Sequence, residues 1–139
     1  MPTQTLAGAA GVNSGQILDI GVTTQIGTGL NAAAGAVNTP STPAFVLQPR
    51  EGGGGGLTLD VHAVPTPANG TITTLTVNLL ASYDGGTTWQ IDQSSGAMGG
   101  TGIPSTQFKN LVGGPLYALC VATLALGTAT SFNLDGAVS

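Results

Sequence analysis

Ser82-Tyr83-Asp84-Gly85-Gly86-Thr87-Thr88-Trp89 is a hairpin turn written out between two alternating stretches. On its near side Thr71 to Tyr83 places Leu75, Val77, Leu79, Ala81 and Tyr83 on one face, with mostly Thr, Asn and Ser on the other. A period of two is the mark of a half-buried strand. Beyond the turn the period resumes, with Trp89 and Ile91 on one face and Thr88, Gln90 and Asp92 on the other. Asp84-Gly85-Gly86 supplies the residues that tolerate positive φ where the chain must reverse.

Working outward, the first 15 residues are small, polar and rich in Gly and Ala, and are expected to form an extended N-terminal arm. Residues 16–139 are expected to form one β-domain. A first strand is predicted at about residues 16–26, where Leu18, Ile20, Val22, Thr24 and Ile26 alternate with Asp19, Gly21, Thr23 and Gln25. Residues 30–44 hold an Ala-rich run broken by Gly35 and by Asn38-Thr39-Pro40-Ser41-Thr42-Pro43, which reads as an irregular connection. Phe45 to Gln48 is a short strand, and Gly52 to Gly56 is a loop with no side chains to pack. Leu57 to Val64 alternates cleanly, and Pro65 to Gly70 is turn chemistry.

After Asp92 the Gly/Ser stretch Ser94 to Gly102 precedes a short edge strand at Thr106 to Val112, where Lys109 suits an exposed edge. Leu116 to Leu126 is apolar on both faces, the pattern of a central strand or one at a subunit boundary. Ala129 to Leu134 closes the series. About seven or eight strands without a convincing helix predict an all-β fold. The spacing points to an antiparallel β-sandwich of jelly-roll or related Greek-key type.

Composition narrows the function. Of 139 residues only 6% are charged, 41% are hydrophobic and 23 are glycine, with a net charge of −4. Arg50 and Lys109 are the two cations, so an electrostatic hold on nucleic acid or on an anionic membrane is not expected. Leu116 to Leu126 falls well short of the about 20 residues of a membrane helix. Met1 to Gln4 lacks a basic n-region and Leu6 to Gly11 lacks an apolar h-region, so no signal peptide is expected. A surface poor in charge invites association, which favours an assembly component over a free enzyme.

Catalytic parts are few. His62 and Cys120 are the single histidine and cysteine, and Cys120 sits within an apolar strand, where a thiol behaves as a small hydrophobe. The carboxylates Asp19, Glu51, Asp60, Asp84, Asp92 and Asp135 show no convergent spacing. The glycine run at 52–56 lacks the Lys-Ser/Thr and the helix of a phosphate-binding loop. Neither an enzyme nor a cofactor is expected. Two further uses of the hairpin stay open: a calcium site at Asp84 and Asp92 with added carbonyls, and a sugar-stacking platform if Tyr83 and Trp89 face solvent.

Ser82, Asp84, Gly86, Thr88 and Trp89 match the Asp-box, Ser-x-Asp-x-Gly-x-Thr-Trp, of sialidase-type β-propellers. That resemblance implies a structural turn in which the Asp carboxylate binds backbone amides and the Trp packs beneath, away from any catalytic centre. A propeller needs at least about four blades of four strands, and 139 residues hold one copy, so the propeller fold does not carry over.

The chain as a whole, from about Gln16 onward, resembles the capsid decoration or cement proteins of tailed bacteriophages. Leu79 to Trp89 and Gly113-Gly114-Pro115-Leu116-Tyr117-Ala118-Leu119 carry that likeness. It implies a virion protein on the capsid surface that contacts the major capsid protein and copies of itself as a dimer or trimer. The residues expected at such contacts are Leu6 and Val12 of the arm and Tyr117, Leu119 and Val121 of the doubly apolar strand. The alternative is a carbohydrate- or receptor-binding β-module on a phage tail or capsid surface.

Overall fold

The computed structural model describes residues 3–5, 17–18, 23–30, 36–47, 56–100 and 102–138. Among these the chain is all-β, with no helical residue. Its strands are β1 (Thr3–Thr5), β2 (Ile17–Leu18), β3 (Thr23–Gly27), β4 (Val46–Leu47), β5 (Leu57–Thr66) and β6 (Ile72–Ser82), followed by β7 (Gln90–Ser94), β8 (Met98–Gly100), β9 (Ser105–Leu111), β10 (Leu116–Leu126) and β11 (Ser131–Val138).

One sheet runs in the order β1-β3-β11-β5-β9, antiparallel except for the parallel pair β1–β3. A second, wholly antiparallel sheet runs β10-β6-β7, with β8 also on β6. A parallel pair, β2–β4, stands apart. The single strand expected at 16–26 is therefore two: Ile17–Leu18 pairs with β4, whereas Thr23–Gly27 joins the larger sheet. Within the segment expected as an extended arm, Thr3–Thr5 adds a strand beside β3. The rest of the arm, with Leu6 and Val12, lies outside the described residues, as do Gly52 to Gly55.

The alternation on β5 and β6 governs the core. Leu57, Leu59, Val61 and Ala63 from β5 and Leu75, Val77, Leu79 and Ala81 from β6 enter one hydrophobic cluster with Phe108, Leu119, Phe132 and Leu134. That cluster draws on both larger sheets, and each aliphatic side chain fully buried stabilises by roughly 1.5–3 kcal/mol. β5 runs two residues beyond its predicted end because Pro65 is harmless there. Ala63 donates its amide to the Pro104 carbonyl at 2.8 Å, and β9 begins only at Ser105. The amide that proline lacks would point past the end of that neighbour.

β6 is buried on both faces at its end: Asn78, Leu80 and Ser82 are covered as fully as Leu79 and Ala81. Its register places Leu80 beside Ala118 and Asn78 beside Cys120. The outer edge of β10 is taken by the chain's own irregular segment. Ser41 donates its amide to the Leu119 carbonyl, and the Ser41 and Thr42 hydroxyls accept from the amides of Val121 and Leu119, each at 2.9 Å. Phe45 and Tyr117 exchange both backbone bonds at 2.8 Å. Gly99 is required by proximity, since a Cβ there would collide with the Thr73 carbonyl. This close approach belongs to β8, so Met98–Gly100 of the Gly/Ser stretch after Asp92 is a strand on β6.

Candidate functional site

The β6–β7 connection spans residues 83–89, and two consecutive glycines set its path, Gly85 at φ 74° and Gly86 at φ 94°. Both lie in the left-handed region that favours glycine. Asp84 Oδ1 accepts from the Ser82 hydroxyl at 2.8 Å and from the Thr88 amide at 2.9 Å, while Oδ2 accepts from the Thr88 hydroxyl at 2.5 Å. The Gly86 amide donates to the Ser82 hydroxyl at 2.9 Å, and the Thr87 hydroxyl donates to the Asp84 carbonyl at 3.2 Å. The Thr88 amide thus reaches the carboxylate directly, the Thr87 backbone adds a weaker contribution, and the Gly86 amide reaches it through Ser82. The Thr88 hydroxyl, the Thr88 amide and the Ser82 hydroxyl, in that order, favour the charged form and hold Asp84 down to about 2.

Trp89 is half-buried and lies under the turn rather than in the shared core. A Cβ at Gly86 would stand 3.8 Å from Trp89 Cζ2 and 3.7 Å from Leu116 Cδ1, which locates both side chains just below the loop. Tyr83, expected on the inward face with Ala81, is instead 69% exposed, because β6 ends at Ser82 and its alternation no longer applies. Ile91 is likewise exposed. Beside Tyr83 opens a cleft of about 410 Å³, walled by Ala81, Tyr83, Asp84, Thr88, Trp89 and Gln90. Gln90, placed by the alternation only on the face opposite Trp89, also walls the cleft. Its signal was its position, the first residue of β7 directly after the Trp.

The other expected site residues are placed elsewhere. Tyr117, Leu119 and Val121 are buried within the chain, at 2%, 0% and 5% exposure, and present no face to a partner. The doubly apolar pattern is satisfied internally, by the core on one face and by cover from residues 36–45 along the edge. Burial raises the Tyr117 phenol, whose oxygen accepts from the Val112 amide at 3.3 Å. Cys120 is buried, its thiol directed to the Ala36 carbonyl at 3.4 Å and its pKa raised by desolvation. His62 is exposed on β5, in the other sheet, so the cysteine and histidine are not brought together.

His62 does stand opposite Asp135 on β11. Asp135 Oδ1 is buried without a hydrogen-bond partner among the described residues. Desolvation raises its pKa, and the charge of His62 works against that rise. Among the described residues no three His, Cys, Asp or Glu side chains gather into a metal-binding group.

No protein-family model matches this chain, nor does any curated protein or solved structure.

Proposed function

We propose that this chain is a structural virion protein that binds the outer surface of an assembled phage capsid and stabilises it by bridging capsid subunits. The observation that carries the reading is the character of the described surface. Lys109 is its one lysine or arginine, while Val37, Tyr83, Ile91, Ile103 and Val112 expose large apolar side chains. Such a surface has little charge to keep copies apart and apolar area to bury against a partner. Each bridging subunit adds interface that must be lost before the shell opens, so binding stabilises the closed form by mass action.

In this reading the two larger sheets are the layers of a β-sandwich of jelly-roll or Greek-key type, which the one hydrophobic cluster fed by both sheets supports. The partners are the major capsid protein and copies of the chain itself. With Tyr117, Leu119 and Val121 buried, the exposed apolar residues replace them as the contact surface. The test is to mix purified protein with capsids of the encoding phage stripped of it and sediment the shells. Co-sedimentation at a fixed, saturable ratio to the major capsid protein is expected. Protein that stays in the supernatant at every ratio would overturn the proposal.

A further inference from the structure

We propose that the cleft beside the β6–β7 hairpin binds a neutral sugar ring, an activity beyond attachment to a shell. Three features converge there. The first is aromatic surface: Tyr83 is 69% exposed and Trp89 is half-buried, and both line the same concavity. Burying aromatic area in water is favourable, and the C–H face of a pyranose is the neutral, weakly polar surface that an aromatic wall accepts.

The second feature is a set of polar groups able to pair with hydroxyls. A carboxylate has about four acceptor sites, and the turn engages Asp84 through the Thr88 hydroxyl and amide, the Ser82 hydroxyl and, more weakly, the Thr87 backbone. The exposed Gln90 amide offers a ligand hydroxyl both a donor and an acceptor, and the Thr88 hydroxyl oxygen, while donating to Asp84, can still accept. Asp84 and Thr88 are fixed beforehand by the turn's own hydrogen bonds, so the ordering left for binding falls mainly on Gln90.

The third is charge. The cleft walls hold one carboxylate that stays ionised and no cation. Phosphates, sulfates and acidic sugars meet repulsion without compensation, which leaves uncharged saccharides as the class that fits. The volume of about 410 Å³ lies within the 300–1,000 Å³ or so usual for small-molecule clefts. The open form of the site suits the end or edge of a glycan chain rather than an enclosed ligand.

Trp89 is the single tryptophan of the chain, so its fluorescence reports on this cleft alone. The test is a fluorescence titration of the intact protein with a panel of neutral hexoses, N-acetylhexosamines and their short oligomers. A sialylated oligosaccharide serves as the acidic counterpart. The expected result is a saturable change with at least one neutral sugar. Affinity should fall about tenfold or more in Tyr83→Ala and in Gln90→Ala, both exposed positions whose circular dichroism should match the parent.

Silence across the neutral panel up to about 10 mM, beyond the weak end of the affinity scale, would overturn the proposal. Equal binding by Tyr83→Ala, or a response to the sialylated sugar alone, would do the same. Capsid co-sedimentation is read separately, so loss of one result leaves the other standing.

Discussion

The side-chain amide of Gln93 pairs with the backbone of Lys109 as a strand would. Its Nε2 donates to the Lys109 carbonyl at 2.7 Å and its Oε1 accepts from the Lys109 amide at 3.1 Å. Among the described residues β9 has a single strand neighbour, β5, which leaves its other edge without a strand partner there. Gln93 belongs to β7, in the second sheet. One glutamine thus blunts the edge of β9 and ties the two sheets together.

Gln93→Ala should therefore lower stability by about 1–2 kcal/mol, the net worth of two hydrogen bonds. Amide hydrogen exchange at Lys109 is the direct check. Faster exchange there, with the β6–β10 amides unchanged, is expected, and unchanged protection at Lys109 would count against the bridge.

The Asp84 carboxyl should titrate with a midpoint of about 2 in the folded protein, followed by carbon chemical shifts. Its folded pKa is depressed, so its stabilising effect is complete above the ordinary value of 3.8 and is lost as pH falls through about 2. Asp84→Ala should speed amide exchange at Thr88, the donor left without its acceptor. A midpoint near 3.8 would contradict the hydrogen-bonded turn.

Asp135→Asn should leave the protein as stable at pH 7 or stabilise it by up to about 1 kcal/mol, since a buried carboxylate oxygen without a partner is costly. The sign follows from the raised folded pKa. The favourable contribution of the neutral acid is complete below 3.8 and lost as pH rises through the folded value. Denaturant unfolding of both proteins between pH 3 and pH 7 or so tests this. A loss of more than about 1 kcal/mol at neutral pH would show that the charge has a structural partner.

Cys120 should resist thiol reagents at mildly alkaline pH until the protein unfolds, because burial raises its pKa and its sulfur faces the Ala36 carbonyl. Rapid labelling of the native protein would mean that residues 36–45 lift from β10. Cys120→Ser should cost about 1–3 kcal/mol, the usual range for a polar change in a packed site.

The strands that alternate over many residues were legible: β5, β6, β9 and β10 lie close to where the period places them, because one buried face dictates each. The split of 16–26 into β2 and β3 was not legible, since an alternating run is equally consistent with one strand or with two that enter different sheets. Tyr117, Leu119 and Val121 misled for a related reason. A strand apolar on both faces records that both are covered, not whether the cover is another subunit or the same chain. Here Ser41 and Thr42 supply it with hydroxyls that substitute for a strand partner, a role hidden in a Pro- and Ser-rich loop. At the hairpin the turn residues could be read from spacing, while the exposure of Tyr83 and the place of Gln90 in the cleft depend on where β6 ends.

The most direct test of the virion role is the temperature at which stripped capsids open, followed by dye access to the packaged genome with and without saturating protein. The account predicts that capsids carrying the protein open at a higher temperature, with the increase saturating at the same ratio as binding. An opening temperature that is unchanged while the protein is fully bound would contradict it.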